Sequence, residues 1–154
     1  MASIAPALYD RLVELRRELH RYPELSGQEV QTSTVISRFL QDLGIHPRTN
    51  IAGHGVVADI PGYSGVPCVV LRADMDALPI QEETGLEFAS VHSGVMHACG
   101  HDGHTTMLLG AAALLTQEED LPAPVRLIFQ PAEEKGTGAI AMIKEGVLDG
   151  AGLI

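Results

Sequence analysis

Side chains that bind metal ions are concentrated in one twelve-residue segment, VMHACGHDGHTT. It holds three of the chain's seven histidines and one of its two cysteines. In an extended segment, residues two positions apart point to the same side, so His97, Cys99 and His101 are predicted to face one centre. Imidazole together with thiolate is a donor set typical of zinc and similar first-row metals. Gly100 and Gly103 are expected to let the backbone turn tightly around that centre.

A second interpretation of this segment stays open when it is taken alone. Cys99 is then a small buried residue, and the histidines are groups that cap a helix. The acidic side chains found elsewhere in the chain favour the metal interpretation.

Two pairs of carboxylates follow apolar runs that have the pattern of buried strands. The run CVVLRADMD ends in Asp74 and Asp76, and RLIFQPAEE ends in Glu133 and Glu134. Adjacent glutamates point in different directions, so one can bind a metal while its neighbour acts as general base on a water. One of the aspartates is a candidate ligand or, more often in such sites, a group that orients a ligand. The alternatives are a solvated turn for the glutamates and an Asx turn closing the strand for the aspartates.

Helices are predicted from apolar residues at helical spacing. The first is predicted over residues 4–21. Ser26 and Glu29 form a capping-box pattern ahead of a second helix, which is predicted to end at Gly44. A third helix is predicted to begin at Asp102, and the run AIAMIKEG is predicted to form a fourth.

Short extended runs alternate with these helices. They are HPRTN, GVVADIPG, PCVVLRADM and PVRLIFQP, and VLDGAGLI leads towards another. A polar loop, roughly residues 76–98, has no helical period, and loops of that length are usually functional or disordered. The alternation predicts an α/β fold with a largely parallel sheet flanked by helices. Ligands collect beyond the carboxyl ends of such strands, so the three clusters are predicted to converge on one edge.

Composition and charge narrow the function classes. A chain of 154 residues is expected to form a single domain. Its formal charge of −10 argues against nucleic acid or an anionic membrane as a partner. No apolar run reaches the length of about 18 residues that a membrane span needs, and the start lacks a signal-peptide pattern. Two cysteines are too few for a disulfide framework, so a cytoplasmic setting with reduced thiols is expected.

The remaining cysteine and histidines are assigned to structural roles. Cys68 lies inside an apolar run and is predicted to belong to the core. Four histidines have no partner at ligand spacing and are expected to be surface or capping groups: His20, His46, His54 and His92.

Three long motifs resemble one known family almost phrase for phrase. They are LRADMDALPIQEETGLEFAS, GVMHACGHDGHTTMLLGAAALL and VRLIFQPAEEKGTGA, and LRRELHRYPELSGQE near the start fits as well. The family is the amidohydrolase branch of the metal-dependent zinc exopeptidases. That branch includes hippurate hydrolases, indole-acetyl-amino-acid hydrolases and N-acetyl-diaminopimelate deacetylases. The resemblance covers essentially the whole chain.

The resemblance implies a role for each residue that matches a family motif. Cys99 and His101 match metal ligands in the CGHDGH motif, and Glu134 matches the ligand glutamate. Glu133 matches the general base that activates water, and Asp76 matches the aspartate that orients the site.

Two further positions of the motifs are compared with the family. Asp74 stands where many relatives carry a histidine ligand, and Cys99 looks like this branch's substitute for that histidine. His104 matches a motif histidine.

The implied chemistry is hydrolysis of the amide bond of N-acyl amino acids or small peptides. Family members bind two divalent ions, commonly zinc or manganese and sometimes nickel or cobalt. The ions polarise the carbonyl and activate a water.

Length is where the chain departs from the family. Members are more than twice as long and continue into two further histidine ligands, a dimerisation domain and the closing part of the catalytic domain. Residues 1–154 are therefore expected to form the N-terminal part of a di-metal catalytic domain. The alternative function is a non-catalytic metal-binding fragment, inactive because two histidine ligands are missing. An incomplete sheet is expected to expose apolar surface, which predicts a homo-oligomer.

Overall fold

The computed structural model describes residues 4–154. Within these residues, four helices and five strands follow one another in the order that the hydropathy pattern predicts. They are α1 (Pro6–Arg21), α2 (Val30–Asp42), β1 (Arg48–Ile51), β2 (Gly55–Ile60), β3 (Cys68–Asp74), α3 (His101–Leu115), β4 (Val125–Gln130), α4 (Gly138–Lys144) and β5 (Ala151–Leu153).

All five strands form one mixed sheet in the order β1-β2-β4-β3-β5. The central strand β4 is parallel to β3 and antiparallel to β2, while β5 joins β3 in parallel and β1 joins β2 antiparallel. The predicted α/β fold with a helix-flanked sheet is confirmed. The sheet was expected to be largely parallel and is mixed, with two parallel pairings on one side of β4 and two antiparallel pairings on the other. Because Asp74 is the register partner of Gln130, β3 and β4 end at the same level.

The helices cover both faces of the sheet, and the strands alternate accordingly. Val56 and Ala58 of β2 face a core built with α1, α2 and α3. Val57 faces the opposite side, where it packs with Met142 of α4 and Ile128 of β4. This alternation of period two explains why the buried strands are apolar on both faces.

The capping-box prediction for α2 is wrong. Glu29 is the residue before the helix, and neither it nor Ser26 makes a capping hydrogen bond there. The carboxylate of Glu24 takes that role instead, accepting hydrogen bonds from the backbone amides of Gln31 and Thr32 at 3.1 and 2.8 Å. Ser26 and Glu29 make contacts at a distant part of the chain, which are described below.

The long polar segment between β3 and α3 forms no helix or extended strand, as predicted. Across residues 76–98, isolated bridges join Ala77 to Leu25 and Leu78 to Met96. The segment is therefore attached to the α1–α2 connection and folded back on itself. Within residues 4–154, none of the helices combines the length and hydropathy required to cross a bilayer.

A substitution at Leu109 of α3 tests the packing of α1, α2 and α3 on the sheet, because the Leu109 side chain is fully buried in that core. We expect Leu109→Ala to lower the free energy of unfolding by about 2–5 kcal/mol, through lost burial and the cavity it leaves. Met107 lies on the same helix and is 66% exposed. Met107→Ala should change stability by no more than about 0.5 kcal/mol in the same urea titration. Equal losses in the two variants would contradict the packing described here.

Candidate metal centre

The ends of β3 and β4 and the start of α3 meet at one edge of the sheet. Asp74 is the last residue of β3, and the acidic pair follows β4 by three and four residues. The first turn of α3 is fixed to the end of β3 by two hydrogen bonds to backbone carbonyls. Thr105 Oγ1 donates to Asp74 O at 2.9 Å, and His101 Nδ1 donates to Asp76 O at 2.9 Å. The predicted convergence of the three clusters is therefore what the fold produces.

Three of the predicted ligands come together at this edge. Cys99, His101 and Glu134 each offer one ligand atom, and these atoms lie within 4.8 Å of one another. The predicted base is adjacent, since Glu133 Oε2 lies 3.9 Å from His101 Nε2 and Glu134 Oε1 lies 3.7 Å from it. Both glutamates thus reach the same imidazole, although their backbone positions are consecutive.

Cys99 and His101 are brought together by a turn and not by extended alternation. Gly100 between them has φ +83°, the left-handed region that side chains other than glycine's rarely adopt. His101 is already the first residue of α3. Gly103 lies inside the helix and makes no turn, so only one of the two glycines has the predicted role.

His97 does not face the metal centre, contrary to the prediction from spacing. Its side chain is buried, and neither ring nitrogen has a hydrogen-bond partner among the residues described. Burial lowers the pKa of His97 to about 4, so the ring is neutral at physiological pH. Residues 97–100 form a turn, closed by a hydrogen bond from Gly100 N to His97 O at 3.3 Å, so the extended alternation on which the prediction rested is absent here.

The hydrogen bond of His101 leaves one ring nitrogen available as a ligand. A carbonyl oxygen can only accept, so Nδ1 carries the proton that Asp76 O receives. Nε2 then has a free lone pair among carboxylates. Burial lowers the pKa of His101, but the carboxylates of Asp76 and Asp74 raise it more, so the net change is upward.

Asp76 is held as a carboxylate within the site. Its Oδ2 accepts hydrogen bonds from Ser26 Oγ at 2.6 Å and from the amide of Glu134 at 3.0 Å. Burial raises the pKa of Asp76, but the nearby His101 ring and the hydrogen bonds from Ser26 and backbone amides outweigh it and lower the pKa to about 2. Its Oδ1 is buried with His101 Nδ1 3.4 Å away, too far for a well-formed hydrogen bond.

The donor set of Cys99, His101 and Glu134 fits a divalent cation. Glu134 Oε1 is buried and has no hydrogen-bond partner among residues 4–154, which is costly for a carboxylate. Burial and the neighbouring carboxylates, Glu134 first among them, raise the pKa of the Cys99 thiol. The negative charge of this region is therefore only partly neutralised by the side chains around it. A bound cation would neutralise the remainder.

A second cluster shares His101 but is less suited to a cation. Its other members are Asp74 and His104. The carboxylate of Asp74 is already paired on both oxygens, with His104 Nδ1 at 2.6 Å and with Arg72 Nη1 at 2.8 Å. A guanidinium beside a ligand oxygen repels a cation, so we place the candidate site at Cys99 and Glu134.

Comparison with known proteins decides the family. The model of Peptidase family M20/M25/M40 matches residues 70–153. These residues include the proposed ligands and the acidic pair. The chain belongs to this family.

Individual relatives are similar over nearly the whole chain. N-acetyl-L-cysteine deacetylase of Bacillus subtilis (strain 168) is 54% identical, over 93% of this chain and 35% of the relative. IAA-amino acid hydrolase ILR1-like 5 of Arabidopsis thaliana is 48% identical, over 95% and 34%. The crystal structure of Bacillus subtilis YXEP, described as a dinuclear metal binding peptidase from the M20 family, superposes with a TM-score of 0.90. It is 48% identical and matches 94% of this chain and 41% of its own.

These comparisons confirm the resemblance to the amidohydrolase branch and its restriction to one part of the relatives. The chain spans 34–40% of the length of the two curated relatives named above and of two others, an N-acetylcysteine deacetylase and a probable hydrolase. The superposition on YXEP shows that this M20 member shares the α/β fold over the residues it matches.

One buried polar network of this M20 chain lies outside the sequence predictions. His20 was expected at the surface or at a helix end, but it is 3% exposed. Its Nδ1 lies 2.8 Å from Asp102 Oδ2 and its Nε2 lies 3.1 Å from Glu82 Oε1. Arg16 Nε also reaches Asp102 Oδ2, at 2.9 Å. The two acidic partners of His20 are 62 and 82 positions away along the chain, so the residues near His20 in the sequence do not predict them.

The two glycines of the CGHDGH motif give a direct test of the turn. Gly100→Ala places a side chain at φ +83° and should lower the free energy of unfolding by about 1–2 kcal/mol. A Cβ at Gly103 would meet no atom within 4 Å, and alanine is the better helix former. Gly103→Ala should therefore raise stability by about 0.5–1 kcal/mol. Thermal or urea unfolding of the two variants measures both signs, and a stabilising Gly100→Ala would refute the turn.

Proposed function

We propose that this chain takes part in metal-dependent hydrolysis of the amide bond of N-acyl amino acids or small peptides. The supporting observation is the grouping of one ligand atom each from Cys99, His101 and Glu134 within 4.8 Å. Membership of the M20/M25/M40 peptidases supports the reaction class.

In this proposal, the thiolate of Cys99, the imidazole of His101 and the carboxylate of Glu134 hold the divalent cation. A bound ion of this kind polarises the substrate carbonyl and lowers the pKa of water. Sulfur and nitrogen donors suit zinc, and manganese, nickel and cobalt are alternatives. The dinuclear centre named for YXEP supports two ions in a complete site.

Glu133 is the proposed general base. Its side chain is 40% exposed, whereas that of Glu134 is 21% exposed, so Glu133 is the more open of the two to water and substrate. Its carboxylate takes a proton from the attacking water and returns it to the amide nitrogen as the C–N bond breaks. The products are a carboxylic acid and a free amine.

Asp76 is the proposed orienting residue. Its backbone carbonyl accepts a hydrogen bond from the His101 ring and fixes its orientation, and its carboxylate accepts one from the backbone amide of Glu134. One residue thereby sets the orientation of two proposed ligands.

The substrate class is supported by the names of two relatives. A deacetylase of N-acetyl-L-cysteine and a hydrolase of IAA-amino acids both act on an acyl group joined to an amino acid. The proposed setting is the cytoplasm, where both thiols stay reduced. Self-association of the chain remains a prediction.

A second candidate function is metal binding without turnover. Among the described residues, the donor set that fits best offers three ligands, which suffice for one ion with an open position but not for two. A chain that retains metal and shows no hydrolysis would support this candidate.

Metal content is the first measurement that tests the proposal. We expect the chain, after loading with zinc or manganese and removal of free ion, to retain one ion by elemental analysis, and a second only where another chain supplies further ligands. Cys99→Ala should abolish retention, because it removes a ligand. Cys68→Ala is the matched control, since Cys68 lies on β3 and packs against the apolar cluster that contains Val57 and Met142. Equal loss in both variants would undo the assignment of the two cysteines, and no retained metal in the wild-type chain would reject the site.

The two glutamates separate metal binding from catalysis. Glu134→Gln should lose metal, because a neutral amide is a poor replacement for a carboxylate ligand. Glu133→Gln should keep the metal and lower hydrolysis of N-acetyl amino acids by about 100-fold or more, the usual contribution of a general base. The opposite pattern, with metal lost only in Glu133→Gln, would exchange the two roles.

A further inference from the structure

The connection between α1 and α2 contacts the backbone before the acidic pair directly and the pair itself through Asp76. Ser26 Oγ donates to Asp76 Oδ2 at 2.6 Å, and the same carboxylate oxygen accepts the amide of Glu134. Glu29 Oε1 accepts the backbone amide of Ala132 at 2.8 Å. The pair of Glu133 and Glu134 is thus bracketed by bonds that lead back to two residues of one short segment, 22–29.

The backbone at Ala132 needs such support. Ala132 has φ +50°, a left-handed conformation that is unfavourable for a residue with a side chain. Its neighbourhood is also crowded, since a Cβ at Gly138 would lie 1.6 Å from Pro131 O. A strained conformation persists only where the surrounding structure holds it. The bond from Ala132 N to Glu29 is the side-chain contact that does so.

Glu29 is placed in a way that stability alone does not favour. Glu29 is fully buried, and its Oε2 has no hydrogen-bond partner among residues 4–154. A buried carboxyl group with one unsatisfied oxygen is expensive. A role in geometry explains why this position carries an acid.

We propose that Glu29, assisted by Ser26, is a positioning residue for the acidic pair. It holds the backbone of residues 132–134 so that the carboxylates of Glu133 and Glu134 are directed at His101. This inference rests on the proposed function, because the orientation of the two carboxylates matters for activity only if a metal ion binds beside His101. It concerns segment 22–29, whose sequence pattern predicts no more than a local cap.

Glu24 provides a matched control in the same segment. Its carboxylate binds the amides of Gln31 and Thr32 and the hydroxyl of Thr32, all at the start of α2. None of these contacts leads to the acidic pair. Loss of Glu24 should weaken α2 and leave residues 132–134 in place.

The test compares Glu29→Ala, Glu29→Gln and Glu24→Ala by amide hydrogen exchange and by affinity for zinc or manganese. Glu29→Ala should speed exchange in the peptide 130–138 and weaken metal affinity by about 10-fold, the usual effect of losing a group that orients a ligand. Glu29→Gln keeps an acceptor oxygen and should restore both. Glu24→Ala should lower the urea midpoint while exchange at 130–138 and metal affinity stay as in wild type.

Each outcome decides a different point. Unchanged exchange at 130–138 in Glu29→Ala overturns the positioning role, whatever the metal content. A Glu29→Gln variant as impaired as Glu29→Ala overturns the hydrogen bond as its cause. If Glu29→Ala does not fold, Ser26→Ala replaces it, and faster exchange at 130–138 is again the expected result. A wild-type chain that retains no metal counts against the proposed function alone, because the exchange measurement is still decisive.

Discussion

The accumulation of carboxylates around one imidazole is the constraint on which the rest of this structure depends. The parallel pairing of β3 with β4 makes their ends coincide, and both strands are followed by acids. The resulting charge is compensated unevenly. Asp74 is paired with Arg72 and His104, and Asp76 is bound by a hydroxyl and an amide. Glu134 keeps a buried oxygen without a partner, and this marks where an external cation fits best.

Much of the fold and the identity of the site were accessible from the sequence. Strongly periodic runs predict all four helices, and buried apolar runs predict β3 and β4 with the acids at their ends. These signals are local, because side-chain burial on a helix or strand follows from position along that element. The rule that ligands collect beyond strand ends then predicts that the three clusters meet at one edge. The choice of Cys99, His101 and Glu134 as ligands came from the resemblance to the family motifs.

What the sequence could not predict depends on contacts between distant segments. Ser26 and Glu29 have the spacing of a capping box, yet their side chains bind groups 50 and 103 positions away. His20 is likewise paired with two carboxylates far along the chain, those of Glu82 and Asp102. The extended geometry assumed for HACGH failed for a different reason. Residues 97–100 form a turn, with Gly100 N donating to His97 O at 3.3 Å, so His97 and Cys99 do not lie on one side as they would in a strand.

The two ligand-bearing turns reach their geometry by different physical means. Cys99 and His101 flank Gly100, whose left-handed backbone costs little because glycine has no Cβ. Glu133 and Glu134 follow Ala132, which adopts a left-handed backbone despite its side chain. The first turn is therefore stable by its own sequence, whereas the second requires an external hydrogen bond. That difference accounts for the buried acceptor at Glu29, whose Oε1 holds the amide of Ala132 at 2.8 Å against the strain of its left-handed backbone.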